Sequence, residues 1–139
     1  MQVYCQKTSD IVKNKLKACG GKIEIPQLRS GCYCSVELHD EDCFVSNKLP
    51  HQVINFSIFD IIVDFLKEHG GSATKGAGRG PEDKVGHGKC TKDTVLYVIA
   101  TEYYGLSDGD STFDPLFVIA AILQWAGIAR NTLGELVLY

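Results

Sequence analysis

Residues 72–92 hold five basic side chains, Lys75, Arg79, Lys84, Lys89 and Lys92, against two acidic ones, Glu82 and Asp83. That is a local charge of +3 in a chain whose net charge is −3. Cations gathered in one segment suit contact with the phosphates of a nucleic-acid backbone or with an acidic protein surface. His87 adds a titratable ring to the set, and Arg130, beyond the last predicted helix, is a further cation such a partner would meet. Five glycines and Pro81 interrupt residues 72–90, which carry few apolar groups. A long surface loop follows, of the length that is functional or disordered in compact proteins.

Within this loop the run Gly86-His87-Gly88-Lys89-Cys90-Thr91 precedes a predicted helix, where free N–H groups and the helix dipole favour anions. It does not make a nucleotide-binding P-loop. Asp83 stands where the first glycine belongs, and Cys90 follows Lys89 where Ser or Thr is needed to hold magnesium.

A second constellation is Cys32-x-Cys34-x4-His39-x3-Cys43. Its residue types and order resemble a zinc knuckle, which implies a zinc ligand set of Cys32, Cys34, His39 and Cys43. The spacing departs from that family by one residue at the first step and one at the last. Tetrahedral zinc needs all four ligands at bonding distance, about 2.3 Å for sulfur, and a flat hairpin gathers them poorly. The alternation that puts Cys32 and Cys34 on one side also suits a buried strand face, and buried thiols are the preferred reading. The expectation is therefore no cofactor, with zinc as the only candidate. His39, His51, His69 and His87 are scattered, and Asp40, Glu41 and Asp42 are neighbours in a turn. No nucleophile–base pairing emerges, so the reading is non-enzymatic and no catalytic residue is assigned.

The elements that must position these residues follow from periodicity. A narrow apolar stripe, Ile11, Val12, Leu16 and Cys19, predicts a helix over residues 10–18, capped by Thr8 or Ser9 and ended by Gly20-Gly21. Residues 22–25 alternate as a short strand stopped by Pro26. Residues 31–49 read as a β-hairpin with its turn at residues 39–42. Ser57 is the expected cap of an amphipathic core helix to residue 68, again ended by two glycines. Residues 10–21 and 60–71, DIVKNKLKACGG and DIIVDFLKEHGG, share Asp, Ile, Leu, Lys and both glycines at equal offsets. Any short glycine-stopped helix resembles another, and a duplicated helix-plus-strand unit is the alternative.

A short strand at residues 72–75 opens the basic loop. Thr91 caps a predicted helix over residues 92–104, and an acidic connector with Asp108 and Asp110 leads to the last helix, residues 115–126. Asp114 suits its first free N–H groups, and Pro115 its first position. From Leu116 to Ala126 only Gln124 is polar, which predicts burial nearly all round. Gly127 ends the helix, and a turn at residues 131–134 makes a terminal hairpin.

From residue 57 the order is helix, short strand, helix, helix, hairpin, which resembles a winged helix. Residues 121–138, AILQWAGIARNTLGELVL, are similar to the last helix and wing of such domains. The fold class expected is α+β, with a winged-helix-like part over residues 56–139 and an N-terminal helix and β-hairpin part over residues 1–55. The resemblance implies DNA contact through the third helix. That helix lacks the Arg, Asn and Ser residues that read base edges, and Asp108, Asp110 and Asp114 at its entrance oppose phosphates.

Composition fits a globular chain, with 45% hydrophobic and 22% charged residues. No apolar run reaches the roughly 18 residues a bilayer span needs, so no membrane partner is expected. The N-terminus lacks the apolar core of a signal peptide, so a cytoplasmic protein is the expectation, with its six cysteines reduced. The function expected is a binding module that meets nucleic acid through Lys75, Arg79, Lys84, His87, Lys89, Lys92 and Arg130. The alternative is a protein-interaction, regulatory or inhibitory module using the apolar last helix or the 31–49 hairpin. A homodimer fits either reading.

Overall fold

The computed structural model describes residues 7–139; Cys5, one of the six expected thiols, lies outside them. The chain is α+β, with helices packed against two antiparallel sheets. Helix α1 (Thr8–Ala18) leads to β1 (Lys22–Pro26), β2 (Tyr33–Leu38), β3 (Cys43–Ser46) and β4 (Ile54–Asn55), which pair in that order. Helix α2 (Ser57–Glu68) is followed by β5 (Ser72–Thr74), the long loop and the short α3 (Val95–Val98). α3 runs directly into a π-helical turn, Ile99–Tyr103. Helix α4 (Leu116–Trp125) then precedes β6 (Ala129–Asn131) and β7 (Glu135–Leu138), and the second sheet has the order β5-β7-β6.

One cluster of buried side chains runs from Val12 and Leu16 of α1 to Leu136 of β7. α2 is its centre. Ile58, Phe59, Ile62, Val63, Phe65 and Leu66 are all buried, and a fully buried side chain of this size contributes about 1.5–3 kcal/mol. Phe44 of β3 stacks on Phe59 at 5.6 Å and lies 5.2 Å from Phe56, which joins the first sheet to α2.

The sequence likeness of the two glycine-stopped helices extends to their hydrogen bonds. Gly21 N–H donates to Leu16 O, and Gly71 N–H to Leu66 O, at 3.0 and 2.8 Å. Both glycines have positive φ, which a side chain would resist. Gly21 O then accepts from Leu38 N–H, and Gly71 O from Leu138 N–H, at 2.8 and 2.7 Å. The next pairs are Lys22 with Glu37 and Ser72 with Val137, so each helix, glycine pair and strand meets its partner strand in the same register. Six residues separate the paired strands in the first unit, residues 27–32; in the second, the same gap holds the basic loop, α3, α4 and β6.

The helix starts differ from expectation. Neither Thr8 nor Ser9 caps α1; instead Ser9 N–H donates to Asp60 Oδ1 of α2 at 2.9 Å, so a residue distant in sequence does the work. Asn55 rather than Ser57 serves α2, accepting from Ser57 N–H at 2.8 Å. α3 begins at Val95, three residues later than residue 92, because Thr94 and not Thr91 presents its hydroxyl to Tyr97 N–H. Asp114 does accept from Leu116 N–H, at 3.0 Å.

Candidate nucleic-acid interface

The basic loop is held in a defined shape. Val85 and Cys90 are fully buried and anchor it to the body. Ala77 N–H donates to Lys89 O, Gly86 N–H to Cys90 O, and Val85 N–H to Asp110 O of the acidic connector. The Asp83 carboxylate accepts from Lys89 N–H at 2.9 Å, closing the loop on itself. These bonds engage four of the six amides in the glycine run: those of Gly86, His87, Lys89 and Cys90 all donate inside the loop, which weakens it as a phosphate cradle.

The candidate side chains of the loop separate into two groups. Lys75 and Arg79 converge beside Asp114, while Lys84 bonds to Ser111 and His87 and Lys92 project outward. Lys75 is half-buried with its ammonium on Asn131 Oδ1; burial lowers its pKa and nearby Asp114 counters that. Burial raises the Asp114 carboxyl above its ordinary range, against the Leu116 N–H, Arg79 and Lys75, which lower it. The Arg79 guanidinium stands over the Phe117 ring at 5.9 Å, at the edge of cation–π range. Arg130 is exposed on β6 and lines none of the depressions described next.

Three depressions, each sharing two lining residues with the next, form a series along one surface, called the groove below. The first, about 410 Å³, lies between Lys48, Pro50, Phe113 and Asp114. It shares Arg79 and Phe117 with the second, about 600 Å³, which adds Leu28, Arg29, Cys32 and Asn131. The second shares Lys75 and Leu133 with the third, about 520 Å³, which reaches Lys89, Asp93 and Thr94. Five basic residues line the series, Arg29, Lys48, Lys75, Arg79 and Lys89, against two acidic ones, Asp93 and Asp114, a balance of +3. Of the seven large hydrophobic side chains exposed among the described residues, four, Leu28, Phe113, Phe117 and Leu133, lie along it.

Arg29, Lys48 and Phe117 were not candidates on sequence. Arg29 comes from the β1–β2 turn and Lys48 from the β3–β4 connection, both brought beside the loop only by the packing of the first sheet. Phe117 corrects the expectation that α4 is buried nearly all round: its ring is 37% exposed. A sequence signal existed. Phe117 lies seven residues before Gln124, hence on the same helix face as the only polar residue there. Gln124 itself is engaged, its Oε1 accepting from Asn131 N–H at 2.8 Å.

The four candidate zinc ligands are not assembled. Among the described residues no three His, Cys, Asp or Glu side chains are grouped to hold a metal. Cys34 is buried on the core face of β2, Cys32 sits in the turn before it, and His39 is exposed. Asp40 Oδ1 accepts from the Asp42 and Cys43 amides, which fixes the turn without an ion. Burial raises the thiol pKa of Cys34, Cys43 and Cys90, with Asp40 and Asp42 adding to the effect at Cys43, so thiolates are disfavoured at all three.

Fold and surface together define a mixed α+β protein with a cationic, aromatic-edged groove, and no described helix is long and apolar enough to cross a membrane. The chain matches no protein-family model, no curated protein and no solved structure.

Proposed function

We propose that this protein is a non-enzymatic module that binds nucleic acid along the groove from Lys48 to Lys89. The observation that carries the reading is continuity. Three depressions sharing lining residues, with a net +3 on a chain of net −3, fit a linear polyanion better than a compact ligand. The winged-helix reading of residues 57–139 belongs to the same proposal. It is supported by the order α2, β5, α3, α4, β6, β7, with β5 joined to the terminal hairpin in one sheet. In this reading α4 is a core element, and the contacts move from the third helix to the loop and the turns around it.

Binding of fluorescent oligonucleotides, followed by anisotropy at low salt, tests the proposal. Arg79→Glu and Lys89→Glu should each weaken binding about tenfold or more, and Lys92→Glu, outside the groove, should not. Equal effects from all three would remove the groove from the account. A second reading, a protein partner with an acidic and apolar segment, is favoured by Leu133, which is 89% exposed on the groove rim. It predicts binding that salt weakens only in part and that is lost in Leu133→Ser.

A further inference from the structure

Building on the nucleic-acid reading above, we infer that the groove takes unpaired bases, so that the ligand is single-stranded and its bases stack on Phe117 and Phe113. Sequence-specific reading of duplex DNA needs an element that enters a groove, most often a helix in the major groove. α4 is unsuited to that. Val118, Ile119, Ala120, Ala121, Ile122 and Leu123 are buried, and the amide oxygen of outward-facing Gln124 already holds the β6 backbone. The groove instead offers what an unpaired strand needs, cations for phosphates and partly exposed aromatic side chains for bases.

The rings are placed for that role. Phe113 is 42% and Phe117 37% exposed, and they share the first depression with Lys48 and Arg79. Phe117 also borders the second, so the Arg79–Phe117 pair divides two spaces of about 410 and 600 Å³. Each falls within the roughly 300–1,000 Å³ of ordinary ligand pockets, room enough for one nucleoside. The planar guanidinium of Arg79 is itself a stacking surface. Phe117 does not stand alone: Leu28, Phe113 and Leu133 are exposed along the same series of depressions, and such a grouping of apolar side chains marks a binding surface.

The test compares three ligands of equal length by anisotropy: an oligothymidylate, its abasic counterpart and a blunt duplex. The wild-type protein should bind the base-bearing single strand about tenfold tighter than either of the others, the scale of one or two stacked bases. Phe117→Leu, which keeps an apolar side chain on α4, should cut the preference about threefold, and Phe113→Leu combined with Phe117→Leu should erase it. The loss should be several times larger for the base-bearing strand than for the abasic one, because stacking is removed and the cations themselves remain. Equal affinity for base-bearing and abasic strands, or a preference left whole by the double Phe113→Leu, Phe117→Leu change, overturns the stacking inference while leaving backbone binding intact. Failure to bind any of the three at low salt removes the nucleic-acid reading itself.

Discussion

Gly76 follows Lys75 at the point where the loop leaves β5, and its replacement by alanine should be the costliest single-methyl change in the groove wall. Gly76 has φ +81, and a Cβ there would lie 2.8 Å from Lys89 O, 2.8 Å from Thr94 Cβ and 2.9 Å from Thr94 Oγ1. The left-handed backbone alone costs an alanine about 1–2 kcal/mol. Forcing the methyl against a backbone carbonyl and a buried threonine adds about 1–3 kcal/mol. Together these give roughly 2–5 kcal/mol, or about 8–20 °C in Tm for a chain of this length. Two other glycines separate the contributions. Gly105 has φ +71 with nothing within 4 Å of its Cβ position, so Gly105→Ala should lose only the backbone part, about 4–8 °C. Gly134 has neither a left-handed φ nor a close neighbour, and Gly134→Ala should lose nothing measurable. Reversible thermal unfolding by circular dichroism measures all three. If Gly76→Ala is no worse than Gly105→Ala, the loop yields at Lys89 and Thr94, and the fixed spacing of Lys75 from Lys89 is refuted.

Other expectations concern buried polar groups. Tyr104 Oη is buried with no hydrogen-bond partner among the described residues, so Tyr104→Phe should raise stability by about 1 kcal/mol; a loss of that size would show the hydroxyl to be engaged. Its pKa is pushed up from 10.0 to about 12, by burial first and then by Tyr103 and Asp114. Because the unfolded phenol ionises first, its contribution should hold below pH 10 and drain away between pH 10 and about 12, when one tyrosine should titrate late by ultraviolet absorbance. Asp114, raised by burial, binds its proton more tightly folded than unfolded, so its contribution falls as pH rises through its raised pKa. Asp114→Asn keeps an acceptor for Leu116 N–H and removes the buried charge; it should be at least as stable as wild type at pH 7, with a flatter pH profile, and a lower Tm there would contradict this. Asp60→Ala should cost about 1 kcal/mol by leaving the first turn of α1 uncapped, and the loss should be absent if Ser9 is served locally.

Periodicity carried much of the fold. The α2 stripe, the 33–46 hairpin, the glycine-pair stops and the terminal hairpin are all local patterns, and their elements form where the patterns lie. Caps were harder to read, because the acceptor at the start of α1 is Asp60, 51 positions from Ser9. The start of α3 turned on which of two threonines, 91 or 94, had its hydroxyl aimed along the helix. The π-helical turn left no local signal, although it places the Tyr103 hydroxyl to accept from Asn55 N–H at 2.9 Å. The candidate site was half legible. Lys75, Arg79 and Lys89 stand in one loop and could be found as a charge cluster, whereas Arg29 and Lys48 join them only through the tertiary packing of the first sheet. Charge density alone did not separate these residues from Lys84, which is turned to Ser111, or from Lys92 and Arg130, which line none of the three depressions.

We propose that Arg29 and Lys48, contributed by the N-terminal half, act with Lys75, Arg79 and Lys89 on one polyanion. The most direct test of this proposal is the salt dependence of oligonucleotide binding. Five phosphate contacts at about 0.7 per contact give a slope of log affinity against log salt near −3.5, and three give about −2. Between about 50 and 200 mM salt the affinity should then fall roughly 20- to 100-fold. Arg29→Glu should flatten the slope by about 0.7 or more, while Arg130→Glu should leave it unchanged. A wild-type slope near zero, or a slope that responds to Arg130 and not to Arg29, would contradict the groove as the binding surface.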